Sequence, residues 1–570
     1  MRDGVVLRAE ILRPPGDGPF PVLVYRTPYG KDRAVAAYTM FAKAVARGYA
    51  VVAQDVRGRY ASDGEFVPYQ QEGRDGYDTI EWAARQPWSN GAVGTFGLSY
   101  PGAVQWLAAV ESPPHLKAMV PAMTFASPRQ FFYSGGVWDN SWAAWTWRNI
   151  APDLRRRKGV PGPRTADEAD STWPAARQRI RTTLPLTDLP DFAAIAPWYY
   201  EWMRHPATDP WWEWAELRGK YGRTGAAVLN LSGWHDEAYG PHGATTNFRG
   251  VAEARRGREL RAAMIVGPWP HGLAGMTRPV VGVREVGPAA VIDYDETVLR
   301  WMDRWVRGID NGVDREPPVR VFVMGDNRWR TADRWPIPGA RPRTLYLYGA
   351  PAAPSDAAAG PAPVGVLDTL PTPAEPRGGR ASSFVSDPAD PMTDPYADSA
   401  GGPHDYTVLA GRRDQLLFET APLAEDLEVV GAMTADVYLS TDAPDTDLWV
   451  KVLDVAPDGT ALNLMSPGLD VLRASYAVGD GRRTLLRPGH VYRLTFPDLL
   501  TANTFKRGHR IRVMLSAAFA PHFSRNLHTG KLELTDARMR RARITVHHDR
   551  AHPSRLTLPV MPRGPHESLP

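Results

Sequence analysis

The chain has 570 residues, of which 43% are hydrophobic and 23% charged, and it contains no cysteine. This is the composition of a globular protein long enough for about three domains of ~100–200 residues each, and it excludes a disordered chain. The lack of cysteine excludes disulfides, thiolate metal sites and a cysteine nucleophile. A net charge of +4, with one isolated basic run at 155–158 that is typical of a solvated helix face, gives no indication of nucleic-acid binding.

Short apolar runs alternate with helical patterns over the first 122 residues. Strands separated by helices predict a parallel α/β sheet. The predicted strands lie at 21–25, 48–53, 93–97 and 118–121, and the predicted helices at 76–86 and from 100 to the Pro113-Pro114 pair. Strand patterns resume at 226–231 and 262–266, and an amphipathic helix follows at 298–306.

Between about 128 and 222 the chain is dense in tryptophan and has no clear strand. We interpret this segment as a helical insertion or cap. Its tryptophans are Trp138, Trp142, Trp145, Trp147, Trp198, Trp202, Trp211, Trp212 and Trp214.

The last third of the chain has an all-β pattern. A segment at 350–376, rich in proline and alanine, predicts a linker or long loop. Beyond it, strands are predicted at 435–439, 448–453 and 510–515, and they are spaced by turns. This pattern predicts a β-sandwich or jelly roll.

The segment at 94–102 reads G-T-F-G-L-S-Y-P-G and places Ser99 between a predicted strand and a predicted helix. A nucleophilic serine of an α/β-hydrolase occupies such a strand–turn–helix elbow, where the helix N-terminus points its amides at a developing oxyanion. Gly-x-Ser alone is a weak signal, and the general elbow has glycine two residues after the serine, where this chain has Pro101. The residues by themselves leave a nucleophile and an ordinary turn serine open.

A nucleophilic serine needs a histidine base and a carboxylate, which in α/β-hydrolases follow in the order Ser, Asp or Glu, His. Asp236 comes directly after one later predicted strand, and His271 after the next. A turn aspartate and a loop histidine are the alternatives for each residue alone, but the order and the two strand ends together favour a triad. His235 is the rival base, and its position before the carboxylate argues against it.

In these motifs and in others, the chain resembles the family of bacterial cocaine esterase and the X-Pro dipeptidyl-peptidases, a branch of the α/β-hydrolases. The resemblance covers essentially the whole chain in family order, and the G-x-S-Y-x-G elbow with R-T-P-Y upstream is its most specific signature. The matching segments are Met1-Arg2-Asp3-Gly4, Arg26-Thr27-Pro28-Tyr29-Gly30-Lys31, Gln54-Asp55-Val56-Arg57-Gly58, Ser62-Asp63-Gly64-Glu65-Phe66, Gly97-Leu98-Ser99-Tyr100-Pro101-Gly102, Gly233-Trp234-His235-Asp236, Gly267-Pro268-Trp269-Pro270-His271, Ser440-Thr441-Asp442, Asp445-Thr446-Asp447 and Gly508-His509-Arg510-Ile511-Arg512.

The resemblance implies an α/β-hydrolase domain at 1–128 and 223–338, an inserted helical cap at 129–222 and a C-terminal jelly-roll β-sandwich domain at 339–570. It implies that Ser99 is the nucleophile, Asp236 the triad acid and His271 the triad base. It also implies an oxyanion hole formed by the phenol of Tyr29 and the backbone N–H of Tyr100. Without the family match, Tyr29 is a turn residue after Pro28.

The cap implied by the family places aromatic residues over the site. Phe132, Trp142 and Trp145 are therefore candidates for binding the substrate, with packing inside the cap as the alternative. The cluster Asp442, Asp445 and Asp447 matches a structural turn of the β domain, so we expect neither calcium nor any other metal or cofactor.

The substrate class is less determined than the chemistry. The R-T-P-Y segment begins at Arg26, which leaves no room for the N-terminal helical domain typical of the peptidases. Glu237 is the single candidate for holding a substrate ammonium group. A small-molecule ester is therefore the leading substrate. An amide-cleaving relative (X-Pro dipeptidyl-peptidase, β-lactam acylase or α-amino ester hydrolase) is the alternative, and a non-catalytic binding protein that retains the fold is a second.

No apolar run approaches 18 residues, and no signal peptide opens the chain, so we expect a cytoplasmic protein without a membrane partner. Related proteins have more residues before Met1-Arg2-Asp3-Gly4, which leaves secretion open if an upstream segment exists. A homodimer is also left open.

Overall fold

The computed structural model describes residues 1–128, 131–349, 364–370, 379–397, 399, 401–479 and 482–562. Most of the segment predicted as a linker at 350–376 lies outside these residues. The part that is described contains a strand, Val364–Asp368, and not only loop. Among the described residues, no helix combines the length and the apolar character needed to cross a membrane.

The first 338 residues build a nine-stranded sheet in the described part of the chain, in the order β1-β3-β2-β4-β5-β8-β9-β12-β13. Within this order, all neighbouring strands from β3 to β12 pair in parallel. The strands of this region are β1 (Ala9–Leu12), β2 (Phe20–Thr27), β3 (Ala50–Asp55), β4 (Ser89–Leu98), β5 (Leu116–Ala122), β6 (Tyr133–Ser134), β7 (Val137–Trp138), β8 (Ala227–His235), β9 (Ala262–Pro270), β10 (Val280–Val281), β11 (Arg284–Glu285), β12 (Val319–Val323) and β13 (Arg328–Ala332).

The prediction of a parallel sheet needs correction at both edges. β1 pairs antiparallel with β3, and β13 pairs antiparallel with β12. The link from β12 to β13 is a short turn at 324–327, which can join only antiparallel neighbours. Helices cover both faces of a parallel sheet, so its inner strands are buried on both sides and appear in the sequence as apolar runs. β3 is an example, since all six of its residues are buried.

Helices cover this sheet on both faces and also form most of the inserted segment. They are α1 (Lys31–Ala37), α2 (Thr39–Ala46), α3 (Glu72–Ala84), α4 (Tyr100–Ala109), α5 (Ser141–Trp145), α6 (Ala151–Lys158), α7 (Ala166–Thr182), α8 (Pro197–Arg204), α9 (His242–Ala254) and α10 (Tyr294–Trp305). α3 begins four residues before its predicted start at 76. Its first turn carries Glu72 and Asp75, whose charges hide the amphipathic pattern although both are buried against Arg26 and Arg57.

The inserted segment packs around an aromatic core. It contains α5 to α8, a π-helical stretch Thr146–Ile150 and a short hairpin of β6 and β7, so it is not free of strands as the sequence pattern suggested. Phe132, Trp202 and Trp212 are each 0% exposed. The boundaries 129–222 stay a prediction.

The C-terminal region is β-rich, as expected. Its described strands join in one twelve-stranded sheet, whose inner faces enclose a separate apolar core. They are β14 (Arg341–Tyr348), β15 (Val364–Asp368), β16 (Ala381–Ser386), β17 (Gln415–Glu419), β18 (Leu427–Thr441), β19 (Asp447–Val455), β20 (Ala461–Asn463), β21 (Val471–Arg473), β22 (Tyr492–Phe505), β23 (Arg510–Ser516), β24 (Ala542–His547) and β25 (Arg555–Val560), and the short helix α11 is Ala474–Ala477.

A buried ion cluster ties this β domain together and to the cap. The guanidinium of Arg473, 2% exposed, donates to Asp447 at 2.7 and 3.0 Å and to Glu533 at 3.0 and 3.1 Å. The backbone carbonyl of Glu533 accepts the N–H of Leu186 in the cap at 3.0 Å. One cation is therefore shared by two buried carboxylates that would otherwise lack a partner of opposite charge.

We predict that Arg473→Met lowers the free energy of unfolding of the β domain by about 3–5 kcal/mol, because it leaves two buried carboxylates unpaired. Urea unfolding followed by circular dichroism measures the loss. The control is Arg541→Met, since the side chain of Arg541 is 72% exposed and should leave the midpoint unchanged. Equal urea midpoints for Arg473→Met and the wild-type protein would contradict a stabilising role of Arg473.

Candidate active site

Three of the predicted catalytic residues follow directly on the ends of parallel strands. Ser99 comes after β4, Asp236 after β8 and His271 after β9. The carboxyl ends of parallel strands lie at one edge of a sheet, which is where ligand sites form in α/β proteins. β8 and β9 are neighbours in the sheet, and β5 separates β8 from β4.

Ser99 occupies a strained turn between strand and helix. Its φ and ψ are 69° and −127°, a backbone region that residues other than glycine rarely adopt. Its N–H donates to the carbonyl of Ala122 at 3.0 Å, which fixes the turn against β5. Gly97, with φ at 143°, has no room for a side chain, since a Cβ there would lie 2.5 Å from the Cβ of Pro101. This conformation exposes the hydroxyl at the sheet edge, as a nucleophile elbow does.

His271 and Asp236, the predicted base and acid, form a hydrogen-bonded pair. The His271 Nδ1 lies 2.8 Å from Asp236 Oδ1, and the N–H groups of Ala238 and Tyr239 donate to the same oxygen at 3.1 and 3.2 Å. Asp236 is 0% exposed. Burial lowers the pKa of His271, but the charge and the hydrogen bond of Asp236 outweigh it, so the net pKa is raised above the ordinary value. Asp236 therefore orients the imidazole and makes it a stronger base.

The rival base His235 points away from this site. Its ring is 1% exposed, and its Nε2 lies 3.4 Å from the Met324 sulfur. Burial, with smaller contributions from Arg284 and His404, lowers the pKa of His235 to about 3. The structure thus pairs the triad carboxylate with His271 and not with His235.

Besides burial, which raises the pKa of Tyr29, the Trp145 indole and the Ser99 hydroxyl act on its phenol, so both groups lie near it. Its oxygen accepts the indole N–H of Trp145 at 3.0 Å. Burial raises the pKa of Tyr29 to about 12, so the phenol keeps its proton at neutral pH. The indole N–H occupies one lone pair of the phenol oxygen and leaves the phenol proton available to another acceptor.

Tyr100, the second predicted oxyanion residue, is the first residue of α4, so its backbone N–H has no partner within the helix. Its side chain has a separate anchoring role. The phenol donates to Glu72 Oε1 at 2.8 Å and accepts the N–H of Tyr69 at 3.0 Å. Glu72 is paired with Arg26 at 2.9 Å, and both side chains are 4% exposed. This buried network fixes the start of α4, and with it the position of the Tyr100 backbone N–H.

Tyr239 is a residue at the site that the sequence analysis missed. Its phenol lies within hydrogen-bonding reach of Ser99 and 3.0 Å from the phenol of Tyr69. Its ring centroid is 5.6 Å from that of His271. Burial raises the pKa of Tyr239 above its ordinary value. The single hint in the sequence was its position three residues after Asp236, which belongs to no motif.

The three aromatic residues predicted to bind substrate have structural partners. Phe132 lies within the cap core with its ring centroid 4.7 Å from Trp142 and 4.4 Å from Trp202. Trp142 is 6% exposed and donates its indole N–H to the carbonyl of Phe131. Trp145 lies closest to the chemistry, through Tyr29. Contacts of these three residues with a substrate stay a prediction.

The acidic cluster of the β domain is bound by arginines. Asp447 pairs with Arg473 at 2.7 Å, and Asp445 pairs with Arg483 at 2.9 Å. In the part of the chain that the structure describes, no group of three or more His, Asp or Glu side chains is placed to hold a metal ion.

Two family profiles match the chain one after the other. The profile of the X-Pro dipeptidyl-peptidase (S15) family matches residues 3–273, and that of the X-Pro dipeptidyl-peptidase C-terminal non-catalytic domain matches residues 311–557. Cocaine esterase from Rhodococcus sp. (strain MB1 Bresler) is 33% identical over 99% of this chain and 97% of its own.

Solved structures share the fold. An α-amino acid ester hydrolase superposes with a TM-score of 0.80 at 24% identity, covering 98% of this chain and 95% of its own. An aminopeptidase from a marine sediment archaeon, Thaumarchaeota archaeon, superposes with a TM-score of 0.79 at 23% identity, covering 99% and 95%. With the profile matches and the cocaine esterase similarity, the resemblance seen in the sequence is confirmed: the chain belongs to the CocE/NonD (cocaine esterase and X-Pro dipeptidyl-peptidase S15) family of α/β-hydrolases and is a serine hydrolase.

Proposed function

We propose that this enzyme hydrolyses carboxylic esters of small molecules through an acyl-enzyme on Ser99. The observation that carries the proposal is the 2.8 Å hydrogen bond between His271 and Asp236, which follow neighbouring strands at the same edge of the sheet as Ser99. Similarity to a cocaine esterase over nearly the whole of both chains supports an ester as the substrate.

Acylation begins when His271 removes the proton of Ser99 as the serine oxygen attacks the ester carbonyl. The carbonyl oxygen gains negative charge in the tetrahedral intermediate, and the Tyr29 phenol and the Tyr100 N–H donate hydrogen bonds to it. His271, now protonated and stabilised by Asp236, gives its proton to the departing alcohol oxygen. The bond from carbonyl carbon to alcohol oxygen breaks, and the acyl group remains on Ser99.

Deacylation repeats these steps with water. His271 takes a proton from the water as its oxygen attacks the acyl carbonyl, and the same two donors hold the second oxyanion. Collapse of that intermediate returns the proton from His271 to the Ser99 oxygen and releases the carboxylic acid. These steps require no metal ion and no organic cofactor.

We expect Ser99→Ala to lower kcat for p-nitrophenyl esters by at least about 10³-fold, because no other group on this path can carry the acyl chain. A panel of esters with acyl chains of different length measures the activity. A fluorophosphonate should label the wild-type protein and not the variant. A folded wild-type protein that neither reacts with the probe nor hydrolyses any ester would contradict the proposal and favour a binding protein.

An amide substrate is the alternative that the family leaves open. The same panel therefore includes p-nitroanilides of amino acids and of X-Pro dipeptides. Faster turnover of an anilide than of the matching ester, with a requirement for a free amine, would replace the ester proposal by a peptidase or acylase activity.

We predict that Tyr29→Phe lowers kcat by about 10²–10³-fold with little change in KM, because the phenol stabilises charge present mainly in the transition state. Steady-state kinetics with one ester measures both parameters. Tyr77→Phe is the control, since the ring of Tyr77 packs against Arg2, whose side chain is half exposed to solvent. Trp145→Phe, which removes the N–H that orients Tyr29, should give a smaller loss. A rise of KM with kcat unchanged would instead indicate that the phenol binds the ground state and the transition state equally well.

The pH dependence follows from the raised pKa of His271. The base must be neutral to act, so activity is lost as the pH falls through the pKa, and a raised pKa moves that loss to higher pH. We predict that kcat/KM for a neutral ester reaches half its maximum above pH 6.5, the ordinary value for histidine. Asp236→Asn should move this midpoint to lower pH and reduce kcat by about 10⁴-fold. A wild-type midpoint below pH 6.5 would contradict the proposal that His271, with its raised pKa, is the base.

We also propose that the enzyme acts in the cytoplasm and as a homodimer. The lack of cysteine is compatible with a reducing compartment. Cell fractionation tests the location, and sedimentation equilibrium tests the assembly.

A further inference from the structure

A second carboxylate holds the loop that carries the catalytic base. Glu237 follows the triad acid directly, and its Oε2 accepts the backbone N–H of His271 at 2.9 Å. The next N–H of that loop, that of Gly272, contacts the sulfur of Met123 at 3.2 Å. His271 is therefore held twice, by Asp236 at its ring and by Glu237 at its backbone.

The position of Glu237 is partly buried and crowded with charge. Its carboxylate borders a cavity of about 160 Å³ between the catalytic and β domains. Burial raises the pKa of Glu237, and the charge and N–H of His271 oppose that rise. Of the titratable groups on the surrounding elements, Asp236 and Tyr239 lie beside Glu237 and His271, and the charge of Glu237 acts on His522. Asp139, His242 and Asp498 line the same cavity.

We propose that Glu237 is a positioning residue for the catalytic base: its carboxylate fixes the backbone of His271 and adds a negative charge beside the imidazole. The inference rests on His271 acting as the base in the proposed reaction. Neither Ser99 nor the substrate has to touch Glu237 for this role. It differs from the role considered from the sequence, in which Glu237 would hold a substrate ammonium group.

Two physical effects follow from this geometry. A backbone hydrogen bond to a charged acceptor limits where the His271 ring can lie, and small displacements of a catalytic group reduce rates severely. A negative charge close to the imidazole also favours its protonated form, and Glu237 acts on His271 in the same direction as Asp236. The imidazolium formed during acylation is thus stabilised by two carboxylates.

The β domain holds Glu237 from the other side. At Gly401 a Cβ atom would lie 2.1 Å from Glu237 Oε2 and 3.1 Å from the carbonyl of His235. Any side chain at position 401 would displace the Glu237 carboxylate, so only glycine fits at this contact. The region matched by the non-catalytic domain profile therefore touches the side chain that holds the catalytic loop.

The test compares Glu237→Gln with Glu237→Ala in the full-length chain. The rate constant for phosphonylation of Ser99 by a fluorophosphonate is measured from acid to neutral pH, since it reports activation of the serine without a known substrate. Glutamine keeps an acceptor for the His271 N–H and removes the charge. We expect its plateau rate within about 3-fold of the wild type and its acid midpoint lower by about half a pH unit. Alanine loses the acceptor, and its plateau rate should fall at least about 10-fold.

Asp498→Asn is the matched control. Asp498 borders the same cavity, and its side chain is 48% exposed. The same change of charge there should leave rate and midpoint unchanged. If Glu237→Ala reacts like the wild type, or if Glu237→Gln shows no shift beyond that of the control, the proposal is wrong. A rise in KM for amine-bearing esters alone, with normal phosphonylation, would also overturn it and assign Glu237 to substrate binding.

Gly401→Ala tests the same contact from the β domain, far from Ser99 in sequence. The new methyl group must push the Glu237 carboxylate aside, so this variant should resemble Glu237→Ala in rate at an unchanged melting temperature. Combined with Glu237→Ala, it should cause no further loss. If the two substitutions lowered the rate additively, Gly401→Ala would not act through Glu237, and the proposed contact would be contradicted. Failure of the wild-type protein to be labelled would refute the proposed function itself, before any variant is compared.

Discussion

The 2.8 Å hydrogen bond between His271 and Asp236 depends on the register of two neighbouring parallel strands. β8 and β9 end at adjacent positions, so the residues that follow them meet at one edge of the sheet. A shift of one residue in this pairing would move one strand end by about 3.3 Å and separate the two side chains. The geometry of the site therefore rests on the apolar core that sets the register.

Two of the groups proposed to act on the substrate are held by side chains that are not. Trp145 contacts the phenol of Tyr29, and Glu72 anchors Tyr100 at the start of α4. The bond from Tyr100 to Glu72 is buried, which strengthens it because water does not compete for it. The supports come from different parts of the fold, since Trp145 belongs to the cap and Glu72 to α3. The geometry of the site thus depends on the cap and on α3 as well as on the triad.

The sequence predicted six of the seven inner strands, because buried parallel strands are continuous apolar runs, but it missed β12 and ended β8 and β9 four residues too early. It did not predict the edges of the sheet, since the residues of β13 are at most partly buried and three of its five residues are polar. It also gave no sign of Tyr239 as a neighbour of Ser99, or of the indole N–H that binds Tyr29. Those contacts join residues more than 100 positions apart, and no local pattern records them. Family resemblance supplied the role of Tyr29, and the structure supplied its partner.

The bond from Trp145 to Tyr29 joins the cap to the oxyanion donor. Lifting of the cap to admit a bulky substrate would remove the indole from the phenol, whose proton would then be free to turn away from Ser99. Entry and chemistry would consequently require different arrangements of the same helix, α5. The enzyme would be fully competent only after closure, and an acyl group too large to let α5 return would be admitted but turned over slowly. Size selection in this enzyme would then act through turnover more than through affinity.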